Sequence, residues 1–201
     1  MTNSKIEIKN LSDKLGKEAQ KITLPNGRVI KAIVWEGSDL PQVARLLHGH
    51  SYGKDNVVDI DGAAPAWLVS AITHEVHPAH VRVNSPDGFI PVGCSKPTDN
   101  GDGENIKFSV ETRPDGWTVV TAEAVDPSIP FNPDSMGSIS PPDVGMGAKV
   151  IISGRIPNWM TASFAMAYHG QSKAVACFQP GVGATVAWTH SVEVEIGKII
   201  K

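Results

Sequence analysis

Hydrophobic and polar positions fall into short runs, alternating or continuous, punctuated by Gly, Pro, Asn and Asp, which is the pattern of a β-rich chain with few helices. Ile22-Thr23-Leu24, the turn Pro25-Asn26-Gly27 and Arg28 to Trp35 predict a hairpin, because Asn and Gly both tolerate the positive φ of a tight turn. Ser38 to Leu47 opens on a capping residue and carries apolar positions at helical spacing, so it predicts a helix that stops at Gly49. Asn56 to Ile60 predicts a strand and Ala64 to Val76 a helix with Trp67, Leu68, Ala71 and Ile72 on one face. His80 to Val83 and Phe89 to Gly93 predict two more strands about the turn cluster Asn84 to Gly88.

After Lys96 to Asn105, whose composition is that of a linker, the same order returns. Ile106 to Glu111 and Trp117 to Glu123 echo the first hairpin at an offset of 89, and a loop rich in Pro, Gly, Asp and Ser over 126–147 replaces the first helix. Lys149 to Ser153 predicts a strand, Ile156 to His169 a helix, and Lys173 to Phe178, Ala184 to Thr189 and Val192 to Ile196 three strands. Gly62 and Gly154, Pro65 and Pro157, and Trp67 and Trp159 all stand 92 residues apart. The expected fold is α/β, with two tandem copies of a small β-rich unit, each with one principal helix, packed as a pseudo-two-fold intramolecular dimer, since such small units gain by burying faces on each other. The expected division is a polar N-terminal extension over 1–20, a first unit over 21–95, a linker over 96–105 and a second unit over 106–201.

Composition narrows the function. The 201 residues are 41% hydrophobic and 19% charged, enough to bury a core. A net charge of −3 offers no basic footprint for a long nucleic acid, although a short or cyclic nucleotide needs only a local pocket. Cys94 and Cys177 have no C-x-x-C spacing and read as two thiols in a cytoplasmic protein. No apolar stretch reaches the ~18 residues of a membrane span, and the N-terminus lacks a signal-peptide core, so no membrane partner is expected.

The chemistry concentrates at a few positions. At Ser153-Gly154-Arg155 a strand ends at Gly and a helix starts at once, so unpaired N–H groups, a hydroxyl and a guanidinium could cradle a phosphate, with Asn158 on the first turn. Asp61 and Gly62 hold the matching places in the first copy. The alternatives are that Gly154 only shapes the turn, that Trp159 fills the core, and that Arg155 makes a surface ion pair. His77 and His169 each lie ten residues beyond their Trp at a helix C-terminus, where an imidazolium is stabilised or a site could be lined. His190, at a strand end, is the next candidate. His74, His80, His48 and His50 have no matched partner and read as surface residues, and no carboxylate spacing suggests a metal loop.

The run Val150 to Trp159, then Tyr168-His169, Ala174 to Gly183, Thr189-His190-Ser191 and the closing Val194 to Ile200 resembles the third family of type III CRISPR ring nucleases. That resemblance covers the second half; the first half joins it through the internal repeat, as in a fused dimer. It implies cleavage of cyclic tetra-adenylate, a cyclic oligoadenylate, by attack of a ribose 2′-hydroxyl on the adjacent phosphorus, with manganese as the implied metal. His169, His77 and Arg155 are then the expected catalytic residues, and Ser153, Gly154, Asn158, His190, Asp61, Gly62 and Gln179 the ligand contacts. The chain departs from the family at Phe178-Gln179-Pro180-Gly181, where the family reads Tyr-Asp-Pro-Arg. A non-catalytic sensor or sponge for the same nucleotide, an unrelated interaction protein, and a homodimer of such pairs remain open.

Overall fold

The computed structural model describes residues 3–23, 26–48, 50 and 52–201. In chain order the elements are β1 (Asn3–Glu7), α1 (Ile8–Lys14), β2 (Ala19–Thr23), β3 (Val29–Ile33), α2 (Leu40–His48), β4 (Val57–Asp61), α3 (Ala66–Glu75), β5 (His80–Ser85) and β6 (Gly88–Pro91). They continue as β7 (Ile106–Thr112), β8 (Trp117–Ala124), β9 (Lys149–Ser153), α4 (Asn158–Ala167), β10 (Ala174–Gln179), β11 (Gly183–Thr189) and β12 (Ile199–Ile200). The strands make a four-stranded sheet β1-β4-β5-β6, a six-stranded sheet β12-β11-β10-β9-β8-β7 and a separate hairpin β2-β3.

The helices α3 and α4 decide how the sheets meet. Trp67 to Thr73 and Trp159 to Ala165 are buried without a break, and a helix that is apolar all round belongs inside a core. The two helices pack on each other, and each also packs on the other half, α3 on β10 and β11 and α4 on β5. Asn158 Nδ2 donates to Ala64 O at 2.8 Å beside the N-termini, while the His74 and His169 rings lie 5.1 Å apart beyond the C-termini, so the helices run parallel. Small polar groups close the remaining gaps. Gly93 N donates to Ser163 Oγ at 3.1 Å, and the Cys177 thiol donates to Ser70 Oγ at 3.5 Å. One core cluster extends from Ile6 to Trp188 through both halves.

The units β4-α3-β5-β6 and β9-α4-β10-β11 share element order and strand direction. Val57 pairs with His80 in parallel, and Lys149 pairs with Ala174 in parallel. Each unit then turns back through an antiparallel strand, Ser85 on Gly88 and Gln179 on Gly183. The helices keep the 92-residue spacing, from Ala66 to Asn158.

Several expectations need correction. Residues 1–20 are not a solvated extension over their described part, because β1 pairs in parallel with β4 and Ile6, Ile8 and Leu11 are buried. It is β1, not the β2-β3 hairpin, that stands where β8 stands in the second half: Asn3 pairs with Val57 as Trp117 pairs with Lys149. The hairpin is present, but it joins neither large sheet, and Leu24 and Pro25 of its turn lie outside the described residues, as does Gly49. Residues 192–196 form no strand; Val194 instead covers the face of the six-stranded sheet carrying Trp117, Ile151 and Val186. The stretch expected to be a linker is tied down, with Thr98 bridged to Pro142 and Asp102 to Ser140.

Gly154 has φ +126°, and a Cβ there would lie 1.9 Å from Ala122 O, so β9 leaves the sheet against the backbone of β8. Gly181, at φ +80°, has nothing within 4 Å of a Cβ. Gly154→Ala should therefore cost about 3 kcal/mol in chemical denaturation and Gly181→Ala about 1 kcal/mol, since strain alone acts at the second and strain plus overpacking at the first.

Candidate functional site

Beyond the C-termini of α3 and α4 the chain gathers four imidazoles. His74 lies on the last turn of α3 and His77 two residues beyond its end. His169 follows α4 and His190 follows β11. The rings stand 4.8 Å apart for His77 and His169, 5.0 Å for His169 and His190, and 5.2 Å for His74 and His190. Trp188, buried on β11, stacks on His74 at 5.0 Å with the planes 11° apart. His74 and His169 are half-buried and His77 and His190 exposed, so the cluster opens to solvent on one side.

Burial, followed by the neighbouring His74, His77 and His190, pushes the His169 imidazolium down to about 4. Burial and then His74 lower His190 as well. His169 is therefore neutral at neutral pH and able to accept a proton. Both ring nitrogens of His74 are buried without a hydrogen-bond partner among the described residues. The thiols take no part: burial pushes Cys94 and Cys177 up to about 12, which keeps them protonated.

The other expected site residues lie at the opposite end of the helices. Ser153, Gly154, Arg155, Asn158, Asp61, Gly62 and Gln179 border the helix N-termini, and a ten-residue helix separates them from the histidines by about 15 Å. Arg155 thus stands at the opposite end of α4 from His169. Among the described residues Arg155 forms no ion pair and is exposed, and its chain neighbours Gly154 and Ile156 line a groove with Pro65, Trp67, Asn158 and Gln179. Three of the expected ligand contacts are engaged within the protein. Asn158 holds Ala64 O, Gln179 Oε1 accepts from Trp67 Nε1 at 2.8 Å, and Asp61 is bound by Lys5 at 2.6 Å and by Asn84. The Lys5 hydrogen bond, then that of Asn84, keeps the Asp61 carboxyl below its ordinary range.

His74 and Trp188 are the site residues that sequence reasoning passed over. The i, i+3 spacing of His74 and His77 is the signal that could have marked His74.

The donor set bears on the implied manganese. His74, His169 and His190 each offer a nitrogen, and these atoms all lie within 4.8 Å of one another. No carboxylate belongs to that group, whereas manganese favours oxygen donors, so the residues suit a divalent ion but do not fit manganese well.

Fold and site together define an α/β protein with an imidazole-rich seam between two similar units. Residues 124–201 match the model of a family described as CRISPR-associated protein (Cas_csx3). The matched residues take in His169 and His190 and exclude His74 and His77. No helix among the described residues is long and apolar enough to cross a membrane.

The depressed His169 fixes the sign of a pH effect. The folded state binds the proton less readily than the unfolded chain, whose ordinary value is 6.5, so stability is complete above that value and falls as pH drops toward about 4. In metal-free buffer the melting temperature should fall across this window, and more steeply for the natural chain than for His169→Gln.

Proposed function

We propose that the chain is a ring nuclease that opens cyclic oligoadenylate, cyclic tetra-adenylate first among them, and so ends type III CRISPR antiviral signalling. On this reading it is a duplicated unit fused in tandem, whose two copies build one reaction centre. The observation that carries the proposal is the histidine cluster, drawn from both halves and held neutral at His169, in a chain whose second half is similar to a CRISPR-associated family.

The chemistry needs no nucleophile from the protein. The ribose 2′-oxygen attacks the adjacent phosphorus, the P–O5′ bond breaks, and a 2′,3′-cyclic phosphate and a 5′-hydroxyl result. His169 takes the 2′-hydroxyl proton as general base, and His77, exposed and 4.8 Å from it ring to ring, delivers a proton to the departing oxygen. Holding the ring so that the attacking and leaving oxygens are in line supplies much of the acceleration. Arg155, at the far end of α4, takes no part in this step and serves binding at most.

Gln179 favours a second reading. It stands where the resembling family carries a carboxylate and is occupied by Trp67, so the protein could hold the nucleotide without cutting it.

Incubation with cyclic tetra-adenylate, with and without manganese, and separation of the products by chromatography should show linear products ending in a cyclic phosphate. His169→Ala should lower the rate about 10²–10⁴-fold, the range for loss of a general base, while Arg155→Ala leaves the turnover number nearly unchanged. An intact ring together with binding by calorimetry selects the sensor or sponge.

A further inference from the structure

We propose that His74, His169 and His190 form the seat of a single zinc-class divalent ion that joins the two halves of the chain. The three donor nitrogens lie within 4.8 Å of one another. A tetrahedral ion with nitrogens at about 2.1 Å sets its donors about 3.4 Å apart, so binding requires the imidazoles to close in on the ion, and of the three His190 is exposed and His169 half-buried.

A second observation points to a ligand independently. An imidazole with both nitrogens buried and unpaired forgoes hydrogen bonds it would make in water, and His74 is in that state among the described residues. Metal ligation satisfies one nitrogen. Glu75 Oε1 stands 3.9 Å from His74 Nδ1, beyond hydrogen-bond range, and so leaves that nitrogen unpaired. The surrounding field has the right sign as well, because parallel α3 and α4 both direct the negative ends of their dipoles toward this cluster.

The donor type selects the ion. Three imidazoles without an oxygen donor suit zinc, copper or nickel rather than manganese or magnesium, and zinc is the member with no redox chemistry and a tetrahedral habit. Three protein ligands leave a fourth position open. The seat has no counterpart about the second helix, since the position matching His74 at the 92-residue spacing is Met166. The first half contributes His74 and the second His169 and His190, so the ion bridges the halves. His77 lies outside the set. This inference stands apart from the nuclease reading; where both hold, the ion and the 2′-hydroxyl proton compete for His169.

The test uses the full chain, stripped of metal and without nucleotide, titrated with zinc or manganese by calorimetry and thermal melting. One zinc ion should bind per chain, at least about tenfold more tightly than manganese. Zinc at a hundredfold excess over its Kd should raise the melting temperature by about 5–10 °C. His74→Ala and, at an exposed position that folding does not need, His190→Ala should each weaken zinc at least about 100-fold, more than loss of an outer-shell partner does, while His77→Ala leaves it unchanged. Manganese binding as tight as zinc, a stoichiometry other than one, or zinc affinity that survives both His74→Ala and His190→Ala overturns the proposal. Because no cleavage is read, the result is separable from failure of the nuclease reading.

Discussion

The contact between α3 and α4 is the constraint on which everything else in the molecule rests. Neither helix has a polar face over Trp67 to Thr73 or Trp159 to Ala165, so neither could be exposed without leaving its whole circumference in water. Each fully buried large apolar side chain contributes about 1.5–3 kcal/mol, and Leu68, Ile72, Met160 and Phe164 all show zero exposure. That term forces the two sheets onto the helix pair, and it makes the seam a part of the core. The bond from Trp67 to Gln179 and that from Asn158 to Ala64 then fix how one half is turned against the other.

Parallel alignment of those helices separates two kinds of chemistry. Backbone N–H groups and the positive dipole ends collect at the strand-to-helix turns, where Ser153, Gly154 and Arg155 lie. The negative ends collect where the imidazoles are. Glycine serves the first end through shape: Gly62 rests on Ile8 as Gly154 rests on Ala122, each letting a strand leave its sheet against the neighbouring strand or the segment following it. The matching pair of contacts follows from β1 and β8 occupying equivalent places.

How much of this was legible in the sequence depends on how local each signal is. The helices α3 and α4 and the strands about them are read to within a few residues, because Pro65, Pro157 and the unbroken apolar runs mark them. The role of β1 was not legible. Only Ile6 of Asn3-Ser4-Lys5-Ile6-Glu7 is buried, an edge strand that reads as polar tail, and its partner Val57 is far along the chain. Asn26-Gly27 announces a hairpin but carries no word of which sheet receives it. At the site, the register of His77 with His169 was visible, while the meeting of His74 with His190 depends on a fold that brings residues on opposite sides of the chain's midpoint together. The distance between Arg155 and His169 was hidden for the complementary reason. They are close in sequence and stand at opposite ends of one helix.

The segment after β6 gives the seam a further property. Ser95, Thr98 and Asp102 are fastened by backbone bonds to Ile139, Ser140, Pro141 and Asp143, so the passage from one half to the next is a short, held tether. Two units joined in this way meet at an effective concentration set by the tether and not by the amount of protein present. A seam between separate subunits dissolves on dilution, whereas this one persists in a cell that makes only a few copies of the chain.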